Sequence, residues 1–426
     1  MTEFHFKRLR RNSASIIKEY DVFWQQALKE GEGDFKASVE YYLDKAGRDF
    51  SQRMNQWSKE LAAVRNSLML HPVFVSIYNR CPTRYSFTAV MSMNETQWLF
   101  QRLVEVNCPE EPPRFLEQLV TLFMAWFMET CLKACGDKAY VVRPDLRWAL
   151  ENTELKGFPS DNLRLPFPAI YVDVENLVEV FNPQTGMHKS LGVYITEDLA
   201  RTPRAWRILV IGKGKEESEL GAEFDDALYH FQLMFPEGST VDEAVQYTFN
   251  FLTKDKQVRE VEVEFDGRKI LVSNGYISEE NQEQFVMMWD RLLRLFKYVM
   301  NVVIYSTTQD ADVQFRTVSP EYNALRERAM KAAGEKRRAL FDRLKGMDSQ
   351  QAFVLGGNVV IDRTPKTAQE EVDGEHRTQK VRSLVSGHFR LYHVGQGRTE
   401  SVNKWIAPFW RGPEHAPLTT KQRVVK

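Results

Sequence analysis

The sequence predicts an α+β protein with a helical N-terminal lobe, a mixed α/β core and a basic β/loop segment toward its C-terminal end. Three observations predict it. Through roughly the first 160 residues, apolar side chains recur at helical spacing. From about residue 161 the pattern changes to short apolar runs and alternations suited to strands, with helices between them. From His376 to Lys426, ten Lys and Arg residues stand against two acids, in a chain whose formal net charge is only −1. The matching divisions are residues 1–160, 161–310 and 311–426.

In the first division, "ASIIKEYDVFWQQALKE" sets Ile16, Ile17, Tyr20, Phe23, Trp24 and Leu28 at helical spacing. "EPPRFLEQLVTLFMAWFMETCLKACG" is a stronger helix. Pro112 and Pro113 suit its start, Gly136 suits its C-cap, and its apolar face is wide enough for burial on most sides. Its most apolar run, Leu119 to Met128, falls well short of the ~20 residues a bilayer requires and so predicts a core helix. The basic N-terminus has no apolar h-region behind it, so no secretory signal is expected. A cytoplasmic protein with no membrane partner follows as the expectation. Cys81, Cys108, Cys131 and Cys135 form no C-x-x-C pair, which argues against zinc ribbons and redox motifs and for reduced structural thiols.

The second division opens on a strand, Ala169 to Val174, after the Pro-x-Pro lead-in of "LPFPAIYVDVE". "KSLGVYITED" and "AWRILVIGKG" are further strands. "VREVEVEFDGRKILVS" alternates on both sides of Asp266-Gly267, the signal of a hairpin whose turn needs positive φ. Two helices intervene. One is capped by Thr240; the other opens at Ser278 and aligns Phe285, Met288, Trp289, Leu292, Leu295, Phe296 and Val299 on one face. In the third division, Ser319 and Pro320 start one helix predicted to run to 347, followed by the strand "AFVLGGNVVID" and an irregular polar loop.

Several chemistries lack their residues. "VIGKGK" has two glycines after a strand but neither the spacing nor the Lys-Ser/Thr ending of a phosphate-binding loop. No nucleophile elbow or H-E-x-x-H motif occurs. Asp173 and Glu175 share one face of a strand, with Asp225 and Asp226 close by in sequence, but solvated faces use such carboxylates far more often than two-metal hydrolases do. No metal or cofactor is expected.

The C-terminal segment differs in kind. Its charge excess is the footprint of a site for a polyanion or an acidic surface. Phe389, Tyr392, Trp405, Phe409 and Trp410 are interleaved with the cations, an arrangement that lets rings stack on bases while guanidinium groups fork onto phosphates. Gly395 and Gly397 allow close backbone approach. The competing reading is a strand–loop–strand whose tryptophans close the core and whose arginines are solvated. His388 beside Arg390 is a weak candidate acid–base pair, as a ribonuclease might use. The candidate binding residues are Gly387, His388, Phe389, Arg390, Gly395, Gly397, Arg398, Trp405, Pro408, Trp410 and Arg411. Trp405 and Trp410 are five apart, opposite faces of a continuous strand, and Pro408 predicts a bend between them. Trp405 is therefore expected against the core, with Trp410 and Arg411 on an exposed surface shared with Arg390 and Arg398.

These residues carry a resemblance. Val385-x-Gly387-His388-Phe389-Arg390, then Gly395-x-Gly397-Arg398, then Trp405-Ile406-x-Pro408-Phe409-Trp410-x-Gly412-Pro413 resembles the C-terminal signature of a family of phage and plasmid proteins. That family includes a type V-A anti-CRISPR protein. The basic helix, the "FVLGGNVVID" strand and the "LPFPAIYVDV" lead-in are similar as well. The resemblance implies a non-enzymatic regulator that lowers the biosynthesis of the effector nuclease. It implies recognition of the nascent N-terminal polypeptide during translation and loss of the messenger RNA. The implied partners are a nascent polypeptide, RNA or the ribosome. A generic RNA- or ribosome-binding module and a ribonuclease using His388 are the alternatives. Ser386 stands where the family usually has arginine and Phe389 where it has tryptophan, which implies a contact weakened or moved to Arg382.

Overall fold

The computed structural model describes residues 4, 6–7, 22, 25–32, 34–42, 44–45, 102, 125, 127–182, 186–198, 203–213, 227–254, 260–265, 268–273, 282–345, 347, 351–361, 382–394 and 400–411. In chain order its elements are α1 (Phe35–Tyr42), β1 (Ala139–Val142), α2 (Pro144–Glu151), β2 (Thr153–Glu154), β3 (Ala169–Asp173), β4 (Glu179–Asn182), β5 (Gly186–Asp198), β6 (Arg204–Gly212) and β7 (Ala227–Phe235). Next come α3 (Val241–Lys254), β8 (Glu260–Phe265), β9 (Arg268–Ser273), α4 (Gln282–Ser306), β10 (Val313–Thr317), α5 (Pro320–Lys331), α6 (Gly334–Lys345) and β11 (Gln351–Leu355). The chain closes with β12 (Ser383–Val385), β13 (Gly387–Val394), β14 (Glu400–Ile406) and β15 (Phe409–Arg411). The α+β class read from the sequence is the class observed.

One sheet organises the molecule, in the order β10-β11-β1-β3-β5-β6-β7, with β4 paired to β5 off that path. β1 runs parallel to both β11 and β3, and the remaining pairs are antiparallel. Its strands come from all three divisions of the sequence. β1 lies inside the stretch read as helical, and β10 and β11 come from the C-terminal third. Parallel pairing explains why β1 carries no alternation: "AYVV" is covered on both faces, and such strands read as continuous apolar runs.

The two faces are covered differently. Ile170, Val172, Val193, Ile195, Trp206, Ile208 and Val210 point to a core that also takes Leu146, Leu150 and most of α4. On the other face Tyr171 meets Phe4 and Phe6 edge-on at 5.7 and 5.4 Å, and Thr196 donates to Met128 Sδ at 3.4 Å. Helical residues 127–134, the described end of the strongest sequence helix, therefore belong to this second layer. Gly192 pairs with Asp173 in register, and a Cβ there would collide with the Tyr171 ring.

α4 is apolar nearly all round in its second half, from Leu295 to Tyr305, and is buried accordingly. Its buried amide Asn301 donates from Nδ2 to the carbonyls of Leu150 (2.8 Å) and Thr153 (3.0 Å). Leu150 lies in the last turn of α2 and Thr153 opens β2, so the one amide ties both elements to α4. Gly136 does end its helix at φ +73°, and Thr240 does cap α3, accepting from Glu243 N while Glu243 Oε2 accepts from Thr240 N. β8 and β9 pair antiparallel with Phe265 opposite Arg268, as the hairpin reading expected; Asp266 and Gly267 themselves lie outside the described residues. The start expected at Ser278 lies outside the described residues.

Two expectations are corrected. The single helix expected from 319 to 347 is two helices, α5 and α6, the second opening at Gly334 with φ +59°. They close a small core of their own, Leu325, Ala329 and Leu344. The "AFVLGGNVVID" strand stops at Leu355, because Gly356 at φ +74° turns the chain away. Asp312 holds that turn: its carbonyl accepts from Gly356 N and its carboxylate from Asn358 N.

Candidate functional site

The C-terminal signature folds as one bent ribbon. β13 and β14 pair antiparallel from His388↔Ile406 to Val394↔Glu400, and β12 and β15 continue the same two chains as Val385↔Phe409 to Ser383↔Arg411. The bend falls at Ser386-Gly387 on one chain and Ala407-Pro408 on the other, where Pro408 cannot donate to a ladder. Gly387 is required at this corner. A Cβ there would lie 2.5 Å from Thr153 Oγ1, 2.9 Å from Pro408 Cδ and 3.0 Å from the Ile406 carbonyl oxygen.

Thr153 is the point to which the ribbon is fastened. Its hydroxyl donates to the Ala149 carbonyl (2.8 Å) and accepts from Trp405 Nε1 (3.2 Å). β2 pairs parallel with β13 through Gly387↔Thr153, and Gly387 N donates to the Asn152 carbonyl (2.9 Å). Trp405 meets Tyr305 of α4 edge-on at 5.2 Å, and Phe389 meets Phe158 at 6.2 Å. Both Trp405 and Phe389 are half-buried and pack on the main core.

Alternation then fixes what faces out. Residues directly opposite in an antiparallel pair share a face. His388, Arg390 and Tyr392 on β13 lie opposite Ile406, Lys404 and Val402 on β14, and the first three and Lys404 are exposed. Arg390 lies over the Tyr392 ring at 5.2 Å. Lys404 reaches Asp310 at 3.8 Å, an exposed pair of little energetic weight. Among the described residues Arg390 has no ion-pair partner. The outward face thus joins a solvated guanidinium, an ammonium, an imidazole and an aromatic ring.

Beyond the corner, the ring that faces out is Phe409, 50% exposed, with Arg411 exposed beside it. Trp410 is half-buried and stacks with Arg382, centred 5.6 Å away, where the sequence had placed Trp410 on the open surface. Arg382 is itself 7% exposed, which removes it as a surface substitute for the family arginine at position 386. Ser386 instead donates to Glu154 Oε1 at 3.1 Å. Gly395, Gly397 and Arg398 lie outside the described residues; β14 runs antiparallel beside β13.

The distal half of the ribbon overhangs the body and leaves a cleft of about 390 Å³. Its walls include Asn162, Arg164 and Leu165 from the segment before β3, Thr307 and Gln309 beyond α4, and Asn403 of β14. Nothing local in the chain announces this cleft, because its residues come from three separated segments. Tyr392 and Lys404 could have been added to the site from alternation alone, once β13 and β14 were paired.

Of the carboxylates weighed for a metal, Asp173 Oδ1 accepts from Glu175 N at 3.1 Å, and beside it the Glu175 backbone carbonyl accepts from Arg147 at 2.9 Å. Asp225 and Asp226 lie outside the described residues. Among the described residues no group of three His, Cys, Asp or Glu could hold a metal ion, and no helix is long and apolar enough to cross a membrane.

Comparison with known proteins bears on this region directly. A family model described as AcrVA2-like, the anti-CRISPR type V subtype A2 family, matches residues 140–412. Among solved structures, the chain is similar to one titled "Crystal structure of AcrVA2", at 13% identity and a TM-score of 0.36 over 84% of this chain and 97% of that one. No curated protein matches.

Proposed function

The chain belongs to the AcrVA2-like, type V subtype A2 anti-CRISPR family, and from that membership we propose that it lowers the biosynthesis of a type V-A effector nuclease. It does so as a binding protein at the translating complex, where the nascent polypeptide, the ribosome and the message are together. The observation that carries this reading is the outward face of β13 and β14. Arg390, Tyr392, His388 and Lys404 stand exposed on a ribbon whose other face is fastened to the core through Trp405 and Thr153. A rigid scaffold behind an exposed cationic and aromatic face is the arrangement expected of a recognition surface.

Co-expression with a type V-A effector tests it. Effector transcript and protein should both fall, and the Arg390→Ala, Lys404→Ala double variant should restore them at equal expression of the inhibitor. Unchanged effector transcript and protein with the wild-type chain would overturn the reading.

A further inference from the structure

The main sheet ends on a strand with one free side. β10 pairs with β11 along its whole length, and among the described residues no strand pairs with its other side. Exposed edges are normally blunted by Lys, Pro or a bulge. β10 reads Val-Gln-Phe-Arg-Thr, and its register with β11 is unbroken. Asn323 Nδ2 takes the carbonyl of the last residue, Thr317, at 3.2 Å, which leaves Val313 to Arg316 as the open stretch. A row of rings runs out to this edge. Tyr140 of β1 lies opposite Phe353 of β11, which lies opposite Phe315 of β10, with ring centroids 5.1 and 5.0 Å apart. The row begins in the core at Tyr140, 3% exposed, and stops at Phe315, 56% exposed. A ring left in water at the end of a buried row is apolar area that one further strand would cover.

We propose that the covering strand is β10 of a second copy, paired antiparallel about a two-fold axis through Phe315. Every copy carries this edge, and a contact of this symmetry requires the patch to fit itself. In this register Phe315 meets its counterpart, and the row of rings continues into the second sheet. Gln314 lies opposite Arg316 of the other copy and Val313 opposite Thr317, so no like charges face each other. Moving the axis to Arg316 would set two guanidiniums opposite one another. Moving it to Gln314 would place Val313 rather than a ring against Phe315. The side chains of the edge therefore select one register. Asp310, just before β10, contacts Lys404 of β14 at 3.8 Å, so each ribbon reaches close to the seam. Pairing would carry two outward faces on one particle, and a target with two contact points would be held more tightly than by one. The pairing itself does not depend on what the ribbon recognises.

The test is the mass of the purified full chain by light scattering after size exclusion, from about 1 to about 100 µM. Wild-type mass should rise from monomer to dimer. Phe315→Glu, at an exposed position, should hold it at monomer with the melting point unchanged. Gln314→Arg, which sets two guanidiniums opposite each other in this register, should also lose the dimer. Wild type that stays monomeric throughout, or a dimer that persists in both variants, would overturn the proposal. Mild oxidation checks the register. On the two-fold axis a cysteine meets itself, at a separation that either kind of antiparallel pair brings within disulfide reach. Phe315→Cys should form a 315–315 cross-link, mapped by mass spectrometry to distinguish it from the native cysteines, and Gln314→Cys far less. A yield from Phe315→Cys no greater than from Gln314→Cys would refute the register. A monomer that instead holds an extended foreign peptide, released by Phe315→Glu, would put another occupant on this edge and end the case for a second copy. Mass needs no nuclease, so an effector whose level never falls in co-expression would sink the preceding reading and leave the dimer to be measured on its own.

Discussion

Asp173 ends β3 with its carboxyl largely out of water, and that burial pushes it up to about 6, with Glu175 adding to the rise while the Glu175 N–H and Arg147 oppose it. Between about pH 4 and pH 6 the folded chain holds a proton that the unfolded chain releases. Stability from this residue therefore falls as pH rises through that window and levels off above it. Burial acts in the opposite sense on His230, driven down to about 3, so the folded imidazole stays neutral while the unfolded one protonates below its ordinary value near 6.5. Its contribution is lost as pH falls. Asp173→Asn should raise stability near pH 7.5 by up to about 3 kcal/mol and tilt the profile between pH 4 and 6 toward acid destabilisation. Urea midpoints at pH 4.5, 6.0 and 7.5 would check it; a midpoint at pH 7.5 no higher than wild type would contradict the burial argument.

At the scale of an element, the bent ribbon depends on its two tryptophans unequally. Trp405 has a hydrogen bond to Thr153, an edge contact to Tyr305 and a place against the main core. Trp410 belongs to the two-stranded piece formed by β12 and β15 and covers the buried Arg382. Trp405→Ala should cost about 2–3 kcal/mol, and Trp405→Phe about 1 kcal/mol through the lost indole bond. Trp410→Ala should cost less than Trp405→Ala but more than an exposed ring would, because it uncovers Arg382. Thermal unfolding of the three variants orders them; a Trp410→Ala melting point equal to wild type would return Trp410 to the open surface.

For the whole molecule, the α5–α6 pair is an excursion between two strands that are already neighbours. β10 and β11 pair through Thr317↔Gln351, and the excursion keeps its own small core of Leu325, Ala329 and Leu344. Replacing residues 318–350 by Asn-Gly should therefore leave a β10–β11 hairpin and an intact main core, since a two-residue turn closes such a pair. Circular dichroism and a melting point within a few degrees of wild type are the expected result. Loss of the cooperative transition would mean that the helices support the sheet.

The class, the elements with strong periods and caps, and the chemistry of the C-terminal segment could be read from the order of residues alone. α4, the Asp266-Gly267 hairpin, Gly136 and Ser319 were legible because their signals are local: a period, a turn dipeptide, a cap. So was the break at Pro408. β1 and β7 were not legible. β1 has only four residues and no alternation, and its partners β3 and β11 lie far away in sequence. Tertiary structure alone decided that Gly387 must be a glycine, because the atoms it would strike belong to Thr153, Pro408 and Ile406. It also decided which aromatic faces out, since the corner rotates Phe409 to solvent and turns Trp410 onto Arg382. The cleft had no local trace at all. Asn162, Gln309 and Asn403 meet only because the ribbon, the end of α4 and the segment before β3 are packed together, and proximity of that kind is a property of the fold rather than of any stretch of sequence.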